Sequence, residues 1–307
     1  AEDGIRDRSP SRGLGDVYKR QIVFSKEIYM VHGGFFNRVS NTFKMMKSCL
    51  DVLKKDRELI LFPVFAAISV GLFVLIMSAG GYLDNLDTEQ GGSLAPIIFL
   101  IFGANFLIVF FNSALVSAAL ERLRGGDPNV RSGLSHAVKH IHHIFFWSII
   151  VTIVAILIAM IRGDRRENSI FRQIFASLIQ AGWAMMTFFV VPIIVSENIG
   201  PINAIKRSTS LFKQTWGDQV VANFGFGIFQ LFGVLLGVVV GWFFGLFSPL
   251  LGAILGGSLA VMSVAIIYTL EGIYKAALYE FALGEKPLEF QQEDLRTAYQ
   301  RKVASAF

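Results

Sequence analysis

The sequence has few charged residues, a single cysteine and none of the common catalytic signatures. Asp, Glu, Lys and Arg make up 17% of its 307 residues, whereas a soluble domain usually carries about 25%. Cys49 is the one cysteine, which excludes an intramolecular disulfide. There is no glycine-rich phosphate loop and no His-Glu-x-x-His motif. We therefore expect a membrane protein that is not an enzyme and that carries no cofactor.

What the sequence does have is a series of six long apolar runs. A spanning helix needs roughly 20 apolar residues, because the hydrocarbon core of a bilayer is about 30 Å thick. The runs lack the polar face that a helix of a soluble protein would need. The predicted fold is an all-α polytopic membrane protein with six transmembrane helices, at about 59–78, 94–120, 144–161, 174–196, 220–247 and 250–274.

A shorter amphipathic segment precedes each pair of runs, which predicts three hairpins that each follow an interfacial helix. Basic residues on such helices face anionic lipid headgroups, which makes the bilayer the expected partner. Packing of these helices on other protein explains the pattern equally well. The predicted apolar stripes are Phe43, Met46, Leu50 and Leu53; Leu134, Ala137, Val138, Ile141 and Ile144; and Ile202, Ile205, Thr209, Phe212 and Trp216.

The chain divides into three predicted parts. Residues 1–34 are interpreted as a disordered, artefactual leader, because they show no hydrophobic period and residues 1–21 resemble translated sequencing-adapter read-through. Residues 35–283 form the six-span membrane domain, and residues 284–307 form a cytoplasmic tail.

The distribution of Lys and Arg predicts the orientation. They concentrate before the first run, after the second, fourth and sixth runs, and in the tail. Short cytoplasmic loops are enriched in these residues, so both termini are predicted to be cytoplasmic. The net charge of +5 is not concentrated in one stripe, and nucleic acid is not an expected partner. Arg162, Arg165, Arg166 and Arg172 depart from the rule; either they are tolerated outside or the third run does not fully cross.

Two sets of residues inside the runs are candidates for packing or function. Gly233, Gly237, Gly241 and Gly245 recur every four residues, a spacing that lets helix backbones approach closely, although a lipid groove could use the same face. Polar residues in the runs either join helices through hydrogen bonds or line a functional path. Glu271 either pairs with Lys275 one turn later or couples transport to a cation. The intramembrane polar candidates are Asn105, Asn112, Gln180, Asn223, Gln230 and Glu271.

Four histidines occur within eight positions, at His136, His140, His142 and His143. Three of them share a helix face that is compatible with metal ligation, but zinc needs a fourth ligand and a second shell that the neighbouring sequence does not supply. We interpret these histidines as an exposed interfacial face, with metal binding or pH sensing as alternatives.

Several short motifs are distributed across residues 35–290: 55–59 (KDREL) with Phe62 and Pro63; 118–128 (AALERLRGGDP) with Gly133 and Leu134; 188–192 (FFVVP) with Glu197; 204–208 (AIKRS) with 215–217 (TWG); and 278–282 (LYEFA). Together these motifs resemble a family of prokaryotic multi-span proteins classed as a domain of unknown function. The layout is also similar to the non-catalytic membrane domain of some glycerophosphodiesterases. The resemblance implies the plasma membrane of a bacterium or archaeon and implies no activity.

The function that the sequence favours is a non-enzymatic membrane protein that organises lipids or partner proteins through its cytoplasmic surface helices. A transporter or permease with a polar path between the hairpins is the alternative. An enzyme acting on lipids would need at least two titratable groups in a polar cavity at the interface, and the sequence offers no such pair.

Overall fold

The computed structural model describes residues 35–82, 94–163, 170–216 and 225–290, and their regular structure is entirely helical. The prediction of an all-α fold is confirmed for these residues. A 3₁₀ turn at Arg57–Ile60 follows the first of the ten α-helices that lie within these residues. The α-helices are α1 (Phe35–Lys55), α2 (Leu61–Ala79), α3 (Ala95–Leu123), α4 (Val130–Lys139), α5 (Ile141–Arg162), α6 (Ile170–Met186), α7 (Val190–Glu197), α8 (Pro201–Trp216), α9 (Gly225–Gly245) and α10 (Pro249–Ala282).

In the part of the chain that the structure describes, five stretches of helix are long and apolar enough to cross a membrane: Arg57–Ala79, Ala95–Leu123, Ile141–Arg162, Ile170–Glu197 and Pro249–Ala282. The fifth predicted span corresponds to α9, of which Phe229–Gly245 counts as a shorter apolar helix. Its predicted start, at about residue 220, lies outside the described residues. The count of six spans therefore stays a prediction.

Large apolar side chains cover the outside of these helices. Leu75 is 64% exposed, Met160 is 70% exposed and Phe171 is 77% exposed. A soluble monomer rarely exposes continuous apolar surface of this kind, whereas acyl chains of a bilayer accept it. The exposed apolar surface thus agrees with the composition in indicating a membrane protein.

The fourth predicted span is broken at residues 187–189, between α6 and α7. Pro192 lies in the first turn of α7 and has no N–H to donate to the carbonyl of Phe188, which prevents a continuous helix. Two hydroxyl groups satisfy the local backbone: Thr187 Oγ1 donates to the Trp183 carbonyl at 2.7 Å, and Ser208 Oγ of α8 accepts from Phe189 N at 3.0 Å. The break is therefore held by α8.

The buried core lies at one end of the helix bundle. Helices α3 and α10 have 29 and 34 residues, which gives lengths of about 44 and 51 Å, well above the thickness of a bilayer's hydrocarbon core. Their last turns, 113–123 and 265–280, hold most of their buried residues. We call the surrounding assembly the cap: these two segments together with α1, the 3₁₀ turn, α4, α7 and α8.

The three surface helices α1, α4 and α8 pack on the rest of the cap through faces that overlap the predicted stripes only in part. Helix α1 buries Cys49 and Val52 completely, and α8 buries Ala204 and Ser208 completely, whereas Ile202 is 64% exposed. On α4 and the start of α5, Val138 and Ile141 are 54% and 42% exposed. Other members of the predicted stripes do pack on the core, among them Leu53, Ala137 and Ile144. The stripes are therefore confirmed in part, and small side chains beside them, such as Cys49 and Ala204, complete the docked faces.

The glycine ladder of α9 packs against a matching set of small residues on α10. A Cβ placed on Gly237 would stand 2.8 Å from the Gly256 carbonyl oxygen, and one on Gly233 would stand 2.6 Å from Ser263 Cβ. A Cβ on Gly241 would stand 3.2 Å from the Gly252 carbonyl oxygen, and Gly245 packs against Gly252. The ladder thus fits helix packing, and its partners Gly252 and Gly256 were not anticipated.

Replacing Gly256 should loosen this pair of helices. A leucine there has to displace the α9 backbone, because a Cβ would already stand 2.6 Å from the Gly237 carbonyl oxygen. We expect Gly256→Leu to reduce stability by about 1–3 kcal/mol, seen as a lower apparent melting temperature of the purified protein in detergent. Gly257→Leu is the matched control, since a Cβ at Gly257 meets no atom within 4 Å. Equal melting temperatures for the two variants would contradict the packing.

Candidate functional site

A network of charged side chains lies in the cap, centred on the end of α3. Arg122 makes two hydrogen bonds to Asp56, through Nε and Nη2, and a third to Asp127 Oδ1 at 2.7 Å. The Asp56 side chain is 6% exposed and that of Asp127 is 94% exposed. A bidentate arginine–carboxylate pair fixes geometry as well as charge. Arg122 therefore joins the end of α3 to the residue that precedes the first span.

Arg124 makes a second connection, to α10 and α7. Its Nε and Nη2 donate to Glu280 Oε1 at 3.1 and 2.7 Å, and Nη2 also donates to Ser196 Oγ at 2.8 Å. The Glu280 side chain is 5% exposed. Burying a carboxylate is costly unless it is paired and hydrogen-bonded, and Arg124 supplies both requirements.

Glu197, at the end of α7, makes the third connection. Its Oε1 accepts from Arg207 Nε of α8 at 3.3 Å and from the Tyr279 hydroxyl of α10 at 3.0 Å. Tyr279 neighbours Glu280 in the sequence, so one turn of α10 takes part in both connections: Glu280 accepts from Arg124, and Tyr279 donates to Glu197. The ends of α3, α7 and α10 and helix α8 are thus held on one side of the bundle.

The turn between α3 and α4 completes the network. Gly125 has a φ of +92°, a left-handed conformation that favours glycine. Asn129 caps α4 by accepting from Ser132 N at 2.8 Å, and Ser132 Oγ donates to Glu121 Oε2 at 2.8 Å. Glu58 Oε2 accepts from Val130 N at 3.0 Å. These bonds orient α4 across the cap.

The segment after α10 packs on the same turn. Leu288 N donates to the Leu123 carbonyl at 3.1 Å, and Lys55 forms an ion pair with Glu289. Pro287 and Phe290 are buried. The chain that follows the last helix therefore closes over the end of α3 and ties α1 to it.

The chemistry of the network is mutual neutralisation. Asp56, Glu197 and Glu280 each accept from an arginine on another helix or turn. Their bonds hold helices together, and a general acid or base would instead need a proton-exchanging atom that faces a substrate. Cys49 is no better placed, because complete burial raises the pKa of its thiol well above the usual range.

The predicted intramembrane polar residues do not join this network. Asn105 Nδ2 of α3 donates to Thr152 Oγ1 of α5 at 3.2 Å, which is the interhelical hydrogen bonding that the sequence suggested. Glu271 pairs with Lys275 at 2.7 Å, as the spacing indicated. Gln180 accepts from Arg162. Asn112 is half-buried and Gln230 is exposed, whereas Asn223 lies outside the described residues.

The histidines lie where α4 meets α5. His140 Nδ1 is 2.8 Å from the His136 carbonyl oxygen, and the rings of His142 and His143 are 3.9 Å apart. Burial lowers the pKa of His136, and Lys139 and His140 lower it further. In the part of the chain that the structure describes, no three His, Cys, Asp or Glu side chains are grouped so as to hold a metal ion.

Sequence reasoning did not single out the central residues of this network. Glu280, which is 4% exposed, was noted only as part of the motif 278–282. The sequence signal that could have pointed to this network is the pair Arg122 and Arg124 in the motif 118–128, because these arginines need acidic partners from elsewhere in the chain. The resemblance motifs do converge here, since Asp56, Arg122, Glu197, Arg207 and Glu280 all belong to them.

Comparison with known proteins assigns the family. A family of unknown function, DUF6159, matches residues 93–287. The chain belongs to this family. The DUF6159 match includes α3 to α10, and therefore Arg122, Arg124, Glu197 and Glu280, whereas Asp56 precedes it. No curated protein and no solved structure matches the chain. The expectation of an uncharacterised family is confirmed, and the likenesses to glycerophosphodiesterases and to adapter read-through stay predictions.

The two acidic partners of Arg122 should differ sharply in their effect on stability. We expect Asp56→Ala in this DUF6159 protein to cost about 3 kcal/mol, because it leaves a largely buried arginine without its main partner. Asp127→Ala should change stability little, since that carboxylate is 94% exposed. The apparent melting temperature in detergent measures both. A larger loss for Asp127→Ala would contradict the central place of the Arg122–Asp56 pair.

Proposed function

We propose that this protein is a six-span, non-enzymatic membrane protein whose cytoplasmic cap contacts anionic lipid headgroups and organises lipids or partner proteins. The plasma membrane of a bacterium or archaeon is the proposed location. The observation that carries the proposal is an asymmetry of charge in the cap. The described carboxylates from Asp51 to Glu280 have partners within the protein, whereas several lysines and arginines of the cap are exposed.

The positions of the helix ends support six crossings. Bonds of Arg122, Arg124 and Glu197 gather the start of the first span and the ends of α3, α7 and α10 on one side. Helices α9 and α10 pack along their length and are joined by residues 246–248, so α9 is antiparallel to α10 and begins on the side of the cap. An even number of crossings leaves both termini on the side of the cap. The lysines and arginines of the cap place the cap side in the cytoplasm under the positive-inside rule.

The surface helices present a basic rim to the membrane surface. Each docks through small or apolar residues and leaves basic side chains exposed. Exposed apolar residues accompany them, with Ile202 64% and Val138 54% exposed. A helix surface that combines exposed lysines with apolar side chains is typical of the membrane interface. The rim consists of Lys47 and Lys54 on α1, Arg131 and Lys139 on α4, and Lys206 and Lys213 on α8.

Neutralising α8 should weaken this contact. Because each basic residue near an anionic surface contributes about 1 kcal/mol, we expect the double variant Lys206→Gln and Lys213→Gln to co-purify with severalfold less anionic phospholipid than the wild type. Mass spectrometry of lipids extracted with the full-length protein gives the ratio of anionic to zwitterionic phospholipid.

Substitution of a polar residue away from the rim is the matched control. Gln180→Ala should leave the lipid ratio unchanged, since Gln180 contacts Arg162 between α5 and α6 and lies outside the cap. An unchanged ratio in the lysine double variant, or an equal fall in Gln180→Ala, would contradict the proposal.

A transporter is the second candidate, favoured by the break at residues 187–189. Interrupted helices often form the substrate site of secondary transporters. Lys275 Nζ lies 5.8 Å from the centre of the Phe188 ring at the break, and it pairs with Glu271 at 2.7 Å. Uptake of solutes by liposomes that contain the purified protein tests this alternative. Uptake that Glu271→Gln abolishes would favour the transporter over the non-transporting role.

A further inference from the structure

Three helices place the boundary between the cap and the membrane region at one depth. The cap segments of α3 and α10 and the break after α6 begin 16 to 18 positions after the first residue of their helix. This spacing corresponds to about 24–27 Å along a helix axis. The hydrocarbon core of a bilayer is about 30 Å thick. The cap therefore begins close to the edge of the hydrocarbon core.

The ion pair of Glu271 and Lys275 lies just beyond this boundary on α10. Glu271 follows Pro249 by 22 positions, which is about 33 Å along the helix and therefore at the depth of the lipid headgroups. Helix side chains point toward the helix N-terminus, so the ammonium of Lys275 returns to the level of Glu271. The two side chains meet at 2.7 Å and are 29% exposed for Lys275 and 40% exposed for Glu271. A ligand at headgroup depth can thus reach both charges.

An apolar face of α10 leads from this pair into the hydrocarbon region. Leu250, Ile254 and Val261 lie 21, 17 and 10 positions before Glu271, a spacing that puts them on the same side of the helix. They are 69%, 55% and 63% exposed. Gly257 shares this side, and a Cβ there would meet no atom within 4 Å. An acyl chain can therefore lie along this face, below the charged pair.

The break between α6 and α7 borders the pair on another side. Lys275 Nζ lies 5.8 Å from the centre of the Phe188 ring, and the face of an aromatic ring attracts a cation. One turn after Lys275, the Tyr279 hydroxyl donates to Glu197 at 3.0 Å and closes the cap. The pair thus lies between the closed cap and the apolar face of α10.

The charges of the pair suit a zwitterion better than an anion. The pair has no net charge, because Glu271 offsets Lys275. An ammonium has three N–H donors and a carboxylate accepts at about four positions, so both groups keep bonding capacity after they bond to each other. Lys275 can donate to a lipid phosphate, and Glu271 can accept from a primary ammonium. The quaternary ammonium of phosphatidylcholine has no N–H to donate.

We propose that Glu271 and Lys275 bind the headgroup of phosphatidylethanolamine, with its ammonium on Glu271, its phosphate on Lys275 and an acyl chain along the exposed face of α10. The inference goes beyond the proposed function, because the pair lies outside the basic rim and selects a zwitterionic lipid. It commits to a lipid rather than a free phosphoethanolamine, since the apolar face continues directly from the pair.

The test titrates the purified full-length protein in detergent with lipids that share their acyl chains and differ in headgroup methylation. Native mass spectrometry measures the fraction of protein that carries one bound lipid. We expect the wild type to bind phosphatidylethanolamine about fivefold more tightly than phosphatidylcholine, the ratio that corresponds to an accessible ion pair of about 1 kcal/mol. The N,N-dimethyl derivative, which keeps one N–H, should bind with intermediate affinity.

Glu271→Gln should lower the binding of phosphatidylethanolamine to the level of phosphatidylcholine, because the carboxylate that accepts from the ammonium is lost. Asp51→Asn is the matched control: Asp51 pairs with Lys54 at 3.1 Å on the surface helix α1, and this variant should keep the fivefold preference. Soluble glycerophosphoethanolamine in excess should not displace the lipid, since it has no acyl chain.

Equal binding of phosphatidylethanolamine and phosphatidylcholine by the wild type would overturn the inference, and this comparison needs no variant. A preference that persists in Glu271→Gln, an equal loss in Asp51→Asn, or displacement by glycerophosphoethanolamine would overturn it as well.

The inference and the proposed function fail separately. Equal binding of the two zwitterionic lipids, together with tighter binding of phosphatidylglycerol, would reject the site at Glu271 and leave the basic rim standing. A preference for phosphatidylethanolamine without any enrichment of phosphatidylglycerol would reject the rim and leave this site standing.

Discussion

The pairing of Arg122 and Arg124 with buried carboxylates is the interaction on which the rest of the structure depends. Asp56 and Glu280 come from opposite ends of the described chain, and both are almost fully buried. Either carboxylate alone would be unfavourable there, since desolvation of an unpaired charge costs several kcal/mol. Folding of the cap therefore requires that α3, α10 and the start of the first span meet at one place.

Outside the cap, other interactions hold the spanning helices together. Lipid tails are as apolar as the helix surfaces, so burial of apolar area does not drive helices together inside a bilayer. Helices α9 and α10 compensate through glycine contacts that bring their backbones together, and α3 and α5 share the Asn105–Thr152 hydrogen bond. The protein thus combines a charge-linked cap with a membrane region whose exposed apolar surface is suited to lipid.

The sequence predicted the elements well because their signals are local. Long apolar runs give the spans, and helical periodicity gives the surface helices. The predicted stripes missed part of the docked faces because hydrophobic size was taken as the guide. Small residues such as Ala204 and Ser208 are also fully buried, since they allow close contact. The break before Val190 depends on Ser208 from a later helix, a contact that no local pattern reports.

The charged network also depends on contacts between distant parts of the chain, which no local sequence pattern reports. Arg124 and Glu280 are 156 positions apart, and neither is unusual in its local sequence. Their pairing becomes visible only when the helix ends are brought to one side. The family resemblance marked most of these residues without giving their roles. The structure supplies the roles, and they are mainly architectural, which is why the proposed function rests on the exposed basic rim and not on the buried network.

The central claim is that the cap lies on the cytoplasmic side and that the turn between α9 and α10 lies on the other. Labelling of single cysteines with a membrane-impermeant maleimide tests it most directly, in a Cys49→Ala background that removes the one native thiol. Asp127→Cys and Phe247→Cys place thiols at side chains that are 94% and 74% exposed. We expect Asp127→Cys to react only in inverted membrane vesicles and Phe247→Cys to react in intact cells. Reaction of both from the same side would contradict it.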